Sequence, residues 1–287
     1  MPTRFDHAVI AVRDLDTALF AFQRLGFDAR PGGRHDSGGT HNGLIRFGLD
    51  YFELLSVYDE AEARAGGRAS ILDSLNEREA GLIGYALATD DINRDAARFI
   101  GDGSESYQPH AMQRTRPDGY TLTWRVYSPG ENAWNRPWPF LIQWDTPDSE
   151  RLHIDVPGQH ANGAIAWTRV AVAVKDLASA VDVYHNQLGL RLLKEDACSI
   201  QVARRVTLGL GESTIDLLTP NGEGSVQRTL ANAGEGPFAL YFKSRDLFQT
   251  RAFLEDQEIA FTYDSKGDGK ITLDEKETLG VRIFFVG

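Results

Sequence analysis

Residues 8–15 read AVIAVRDL, and residues 170–177 read VAVAVKDL. Both are short runs of Val, Ile and Ala closed by a basic residue, Asp and Leu. The residues that follow are also alike: Asp16-Thr-Ala-Leu-Phe-Ala-Phe-Gln-Arg-Leu-Gly-Phe27 in the first and Ala178-Ser-Ala-Val-Asp-Val-Tyr-His-Asn-Gln-Leu-Gly-Leu190 in the second. The apolar run suits a strand and its sequel a short helix. Leu15, Ala18, Leu19 and Phe22 fall at i, i+3, i+4 and i+7, on one helical face. Asp14 or Asp16 can cap that helix, and Gly26 stands where a left-handed C-cap belongs. Asp176 and Gly189 repeat the arrangement.

Two weaker copies carry the same signature. Residues 85–92, YALATDDI, and residues 240–247, LYFKSRDL, are again a strand, an Asp and an aliphatic residue, followed by NRDAARFI and FQTRAFLE. The aliphatic anchors Leu15, Ile92, Leu177 and Leu247 are spaced 77, 85 and 70 residues apart, which marks a repeat. Each copy continues into β-rich segments. These are Asn42 to Phe47 and Tyr51 to Val57, Tyr120 to Tyr127 and Pro139 to Trp144, Arg205 to Leu210 and Thr214 to Leu218, then Lys270 to Leu273 and Val281 to Val286. Gly48-Leu49-Asp50, Gly211-Glu212-Ser213 and Thr278-Leu279-Gly280 supply turn chemistry between or beside them. The repeating unit is β-α-β-β-β. The expected fold class is α+β, with units one and two in one domain (1–158) and units three and four in another (159–287). The boundary falls in the polar stretch Pro157-Gly-Gln-His-Ala-Asn-Gly163.

Composition narrows the function. The chain has 287 residues, 42% of them apolar, enough for two substantial cores. Its net charge of −11 opposes phosphate backbones, so nucleic acid is not an expected partner. The one cysteine, Cys198, excludes an internal disulfide and reads as a buried, inert thiol. The first residues lack the apolar core of a secretory signal, and no run reaches the roughly 20 apolar residues of a membrane span. A soluble, cytoplasmic protein without membrane contact is expected.

The stretches FDHAVIAVRDLDTALFAFQRLGF (5–27) and GGRHDSGGTHNGLIRFGLDYFELL (32–55), with PFLIQWD (139–145) and HANGA (160–164), resemble the vicinal oxygen chelate superfamily, and within it the glyoxalase-like domain family. The likeness is strongest over about residues 4–57 and 138–190. It implies two half-barrel domains, each made of two paired βαβββ units forming a cup for a small molecule. It also implies a divalent metal (zinc, iron, manganese or nickel), held by His and Glu from the first and last strands of each unit. Carried over by register, the first-strand position is His7 in unit one, Gly84 in unit two, Arg169 in unit three and Ala239 in unit four. The last-strand position is Glu53, Gln143 and Asp216 in the first three units, and only apolar residues in the fourth. The implied metal set is therefore His7, Glu53 and Gln143 in the N-terminal cup, and the C-terminal cup is degenerate. A homodimer is among the arrangements the resemblance implies.

Other residues join that set. Glu53, flanked by Phe52 and Leu54, is costly to bury unless paired or bound, so it belongs in a polar cavity as ligand or base. The glycine-rich stretch Gly32 to Asn42 is expected to set Thr40, His41 and Asn42 at the rim of the cup. There His41 is a third ligand, or a catalytic residue donating a hydrogen bond to substrate, and it is favoured over His35 to enter the cup. Trp124 and Arg125 lie on opposite faces of one strand, and one of them should enter the cavity to contact substrate. Residues 264–275, DSKGDGKITLDE, mimic a calcium-binding EF-hand loop, but Lys266 replaces an acidic ligand and the flanks read as strands, so a hairpin is expected. The implied activity is metal-assisted lyase or isomerase chemistry on a substrate with two adjacent oxygens. A metal-free sequestering protein is the alternative. An extradiol dioxygenase fits less well, because such relatives hold iron in the C-terminal cup.

Overall fold

A computed structural model describes residues 1–35, 38–75, 78–98, 108–116, 119–129, 134–199 and 201–287. The first unit runs through β1 (Arg4–Val12), α1 (Leu15–Arg24), β2 (Ala29–Arg34), β3 (Thr40–Arg46) and β4 (Tyr51–Val57), and two short helices come after it, α2 (Glu60–Ala65) and α3 (Ala69–Asp73). The second holds β5 (Ala80–Ala88), α4 (Ile92–Ala96), β6 (His110–Thr115), β7 (Thr121–Tyr127) and β8 (Phe140–Trp144), followed by α5 (Asp148–Ile154). The third holds β9 (Ala164–Ala173), α6 (Leu177–Val181), β10 (Arg191–Cys198), β11 (Ala203–Leu210) and β12 (Ser213–Pro220), followed by α7 (Ser225–Asn232). The fourth holds β13 (Gly236–Ser244), α8 (Leu247–Asp256), β14 (Phe261–Asp264), β15 (Lys270–Leu273) and β16 (Ile283–Val286). The linking helices α2, α3, α5 and α7 were not legible in the repeat. The expected third helix divides: α6 continues as a wider π-helical turn over Asp182–Gln187.

The four anchors behave alike for a local reason. Asp14, Asp91, Asp176 and Asp246 each precede an anchor, and each side chain accepts a hydrogen bond from a backbone N–H of the first helical turn. Gly26 (φ 81°) and Gly189 (φ 73°) close the helices of units one and three in the left-handed region. At Gly26 the space is also taken, because a Cβ there would stand 2.6 Å from the Phe253 ring.

Two eight-stranded sheets result, with the same strand order. The first is β2-β3-β4-β1-β5-β8-β7-β6, and the second is β10-β11-β12-β9-β13-β16-β15-β14. In each, the first strands of two units meet antiparallel at the centre (β1 with β5, β9 with β13), and each unit's last strand runs parallel to its own first. These are two curled half-barrels, one built from units one and two and the other from units three and four. The calcium-loop mimic is a β14–β15 hairpin in which Asp264 pairs with Lys270.

The two sheets turn their helix-bearing faces toward each other. One apolar core joins Phe5, Phe22, Phe27 and Phe52 of the first half to Trp167, Tyr184, Phe242 and Phe285 of the second. Phe5 stacks on Trp167 at 4.1 Å, and the Phe242 ring lies 4.9 Å from Phe52 and 5.1 Å from Phe27. The stretch after α5 is pinned rather than loose. His160 accepts from the Asp28 backbone N–H at 3.0 Å and its other ring nitrogen bonds the Arg46 carbonyl at 3.0 Å, while the Asn162 amide donates to the Leu25 carbonyl at 2.8 Å. Each sheet's opposite face carries its own smaller cluster, around Trp124 and Ile142 in the first half and around Phe238 and Phe284 in the second. The cups therefore face away from each other.

Because Phe242 joins both halves, Phe242→Ala should cost about 3–5 kcal/mol, the range for emptying a buried aromatic site. Urea unfolding followed by tryptophan fluorescence should show one cooperative transition moved to lower denaturant. Two separate transitions would mean that the halves hold themselves up independently.

Candidate functional site

The N-terminal cup is a cavity of about 350 Å³, within the range of small-molecule sites. Its wall is aromatic and aliphatic: Trp124, Trp134, Trp144, Phe140, Met112 and Ile71. His7, His35, Asn42, Glu53, Arg68 and Arg114 make its polar part.

His7 enters the cup through a defect in β1. The ladder pairs Phe5 with Leu87 and His7 with Ala86, so Asp6 is an extra, unpaired residue. Neighbours in a strand normally point to opposite faces; the bulge brings the carboxylate of Asp6 beside the imidazole of His7. Asp6 Oδ1 lies 2.8 Å from His7 Nδ1. With Nδ1–H donated to Asp6, Nε2 of His7 is left facing Glu53, 4.0 Å from Oε2. The ring is clamped between Tyr51, stacked at 4.8 Å, and the edge of Phe140 at 5.3 Å. Asp6 is wholly buried and also accepts from the Trp144 indole N–H at 2.8 Å, with Arg4 at 3.3 Å and Arg151 at 3.5 Å. Burial would raise its pKa. The His7 hydrogen bond and the charges of His7, Arg151 and Arg4 outweigh burial and hold it well below the usual carboxylate range.

Glu53 sits on β4 and is nearly buried. Its Oε1 accepts from the Asn42 amide at 2.7 Å and lies 3.5 Å from His35 Nε2. Burial pushes its carboxyl up; the His35 hydrogen bond, the charges of His35 and His7 and the Asn42 amide prevail and bring it down to about 2. His35 is itself held at Nδ1 by the Thr40 hydroxyl at 2.8 Å. Thr40 also accepts from Arg68, which precedes α3 and lies within electrostatic reach of Glu53.

Several sequence expectations change. His41 alternates with Thr40 and Asn42 along β3 and so points to the other face, against the Tyr58 ring at 5.6 Å. Burial first, and then the charge of Arg34, lower its pKa. His35, over which His41 was favoured, is the histidine of that stretch that lines the cup. Gln143 and Arg125 also lie on the face away from the cup. The Gln143 carbonyl accepts from Arg125 at 2.8 Å and from the Ile92 backbone N–H at 3.0 Å, and its amide donates to the Asp90 carbonyl at 2.8 Å. Gln143 therefore ties the start of α4 to β8. Trp124 is the member of its pair that faces the cavity, beside Trp144 at 4.9 Å. Asn42 lines the cup and the wholly buried Thr40 lies behind it; rather than standing at an open rim, they hold Glu53 and His35. Asp6, Arg68 and Arg114 were missed. The Asp6-His7 pair just before an apolar run was the available signal; nothing local marked the two arginines.

The register also corrects the metal set. Val9 pairs with Glu53 across β1 and β4, and Ala86, its counterpart in unit two, pairs with Phe140 across β5 and β8. Phe140, not Gln143, holds the place equivalent to Glu53. Gly84 holds the place equivalent to His7, and the Trp134 ring closes over it, 2.9 Å from where a Cβ would stand. Of the four ligand positions only His7 and Glu53 carry donors. His35 is a third donor of the right kind, but among the described residues no group of three His, Cys, Asp or Glu is close enough to hold a metal ion. Each Glu53 oxygen faces a different imidazole, and Arg68 adds a positive charge. The residues present do not fit a metal cage. In the C-terminal cup the equivalent places form an ion pair, Arg169 with Asp216 at 3.4 Å. Thr207 donates to Asp216 at 2.6 Å, and Arg205 stands 3.7 Å away. No described helix is long and apolar enough to cross a membrane.

Glu53's depressed pKa gives a signed expectation. Its stabilising effect is complete above the unfolded value of 4.5 and is lost as pH falls from there toward about 2. Glu53→Gln should flatten the fall of stability over that window, read from urea midpoints across acid pH. A variant whose acid limb matches wild type would show that Glu53 is not held ionised in the folded protein.

A family model described as a glyoxalase-like domain matches residues 5–188. None of the curated proteins matches the chain. Among solved structures, a hypothetical protein from Staphylococcus aureus is similar over 98% of this chain and 98% of its own, with a TM-score of 0.67 and 17% identity. A mutant of 4-hydroxymandelate synthase from Streptomyces coelicolor is similar over 99% of this chain and 92% of its own, with a TM-score of 0.68 and 14% identity. Methylmalonyl-CoA epimerase from Mycobacterium tuberculosis matches 43% of this chain and 88% of its own, at 25% identity and a TM-score of 0.41. The repeated βαβββ units, the paired half-barrels and the family match over most of the sequence make this chain a member of the glyoxalase-like domain family.

Proposed function

We propose that the N-terminal cup is the active site of a small-molecule enzyme in which His7 moves a proton at a carbon next to a carbonyl. The observation that carries this reading is the Asp6–His7 pair aimed at Glu53 inside a tryptophan-walled cavity. Asp6 fixes the tautomer, so that His7 Nε2 can take a proton from the substrate and return it at the same or a neighbouring carbon. No atoms are gained or lost, which is isomerase chemistry; departure of a neighbouring group would make it lyase chemistry. The aromatic wall suits a flat, partly apolar body, and Arg68 and Arg114 suit a carboxylate or a developing enolate oxygen. Glu53, held ionised, orients the imidazoles rather than acting as the base.

Two other readings share the cup. Metal-assisted chemistry on two adjacent substrate oxygens is what the family implies, with His7, Glu53 and His35 as the donors nearest to that task. Capture of a ligand without turnover is favoured by the extent of the tryptophan wall.

The test is solvent deuterium exchange. Aromatic and aliphatic 2-hydroxy and 2-keto acids would be incubated with the protein in D₂O and followed by NMR. The wild type should wash deuterium into the carbon next to the carbonyl of at least one of them. His7→Ala should lower that rate about 10²–10⁴-fold, the usual worth of a general acid or base, and Asp6→Asn should lower it with little change in KM. Tryptophan quenching by a compound that never exchanges would favour capture. About one equivalent of a transition metal, lost in the double variant His7→Ala/Glu53→Ala, would replace this reading with the metal-assisted one.

A further inference from the structure

We infer that Trp134 sets the length of the molecule the cup accepts, confining its apolar body to a single ring. The inference rests on the cup being the ligand site described above, and it names the residue that selects the ligand. The groups His7, His35, Asn42 and Glu53 come from unit one, and the wall facing them comes largely from unit two. His7 pairs with Ala86 and Val9 with Gly84 across β1 and β5, so an approximate twofold axis exchanges His7 with Gly84 and Val9 with Ala86. The place that an imidazole fills in unit one therefore has no side chain of its own in unit two. Trp134 fills it from the connection between β7 and β8. Its Cε3 and Cζ3 stand 2.9 Å and 3.1 Å from where a Cβ at Gly84 would be. Any other residue at 84 would push the indole away, so the missing Cβ and the inserted ring are one device.

The backbone that carries the indole is fastened on its C-terminal side. The Asn135 N–H donates to the Ile83 carbonyl of β5 at 2.8 Å. Asn135 takes a left-handed φ of 52°, a conformation that asparagine tolerates better than most residues. Arg136 is buried and donates to the Pro129 carbonyl, and the Pro137 carbonyl accepts from the Tyr184 hydroxyl at 2.6 Å. Shifting this stretch of chain would break bonds both to β5 and to the second half of the molecule. The indole also meets Phe140 edge to face at 5.9 Å, and Phe140 in turn meets the His7 ring at 5.3 Å. Trp134 thus ends the cavity over β5, with Phe140 in contact with both it and His7. A ligand that presents its reacting carbon to His7 lays its apolar body along the unit-two wall, where a flat ring finds aromatic faces to pack on. A long, flexible side chain at the end of that wall would yield to a longer ligand. An indole held through its backbone stops the body after one ring.

Isothermal titration of the full chain with phenylacetate and with biphenyl-4-ylacetate tests it, since the two acids differ by one ring in line. The wild type should bind phenylacetate at least about tenfold more tightly, within the discrimination that one apolar group gives in a pocket. Trp134→Ala should abolish or reverse that preference through tighter binding of the two-ring acid. Gly84→Ala, whose methyl drives the indole into the cavity, should weaken phenylacetate binding about tenfold. The double variant Gly84→Ala/Trp134→Ala should again take the two-ring acid, and it remains informative where Gly84→Ala alone unfolds the protein. A size preference that Trp134 controls, found without any deuterium exchange, would uphold this inference and remove the proton-transfer reading. Equal affinity of the wild type for the two acids, or an unchanged preference in a folded Trp134→Ala protein, would overturn the inference and leave proton transfer standing wherever exchange is seen. Failure of the wild type to bind either acid would overturn it as well.

Discussion

A carboxylate with no exposure to water must be met by partners, and Asp6 is met by four. His7, Trp144, Arg4 and Arg151 come to it from β1, β8 and α5. One side chain thereby fixes the tautomer of the cup's imidazole, the tilt of one wall of the cavity and the position of the helix that leads into the second half. Arg151 is fully buried over the Trp144 ring, 3.8 Å from its centroid, where its charge is offset by Asp6 and Asp155. Removing one partner of such a network leaves the others buried and unpaired, which typically costs about 3–5 kcal/mol. The bulge at Asp6 makes this possible, since a regular strand would send Asp6 and His7 to opposite faces.

The second constraint is geometric. A βαβββ unit has two apolar faces and one helix, so it cannot cover itself. Pairing of units joins the strands edge to edge, and stacking of the two half-barrels covers the helix-bearing faces with a common seam of aromatic rings. The cups are what remains uncovered. One of them stays open around histidines and tryptophans. The equivalent places in the other are occupied by an ion pair between Arg169 and Asp216, and Arg169 lies over the Tyr241 ring, which stacks on Phe284 at 4.5 Å. The same fold positions thus carry a His and a Glu facing a cavity in one half and a self-contained ion pair in the other. Repetition of the unit sets the backbone frame, while individual side chains decide how each cup is lined.

The cup itself divides into parts with different physical roles. Glu53 stays ionised because the imidazoles and an amide surround it, and in turn it orients them. The tryptophans exclude water and raise the strength of every charge within the cavity. Gly84 and Phe140 stand where His7 and Glu53 stand in unit one, and the Trp134 ring fills the space beside Gly84. At these two places the cup presents apolar surface rather than donors.

The repeat, the four capped helices, most strands and the pairing of units were legible in the amino-acid order alone, because they depend on periodicity, N-cap chemistry and turn residues, all of which are local. His7 and Glu53 were marked there too, since a His and a Glu in otherwise apolar strands need a reason to be present. His35 and His41 were misassigned, because a two-residue period tells which residues share a face but not which face lines the cavity, and because glycines Gly38 and Gly39 (φ 85° and 59°) break the count between β2 and β3. Gln143 was misread for a related reason: the ladder that aligns β8 with β5 is a contact across the chain. Arg68 and Arg114 line the cup on elements brought together from distant parts of the sequence. Their roles emerge only on folding, because burial and charge balance belong to the assembled surfaces and not to any one segment.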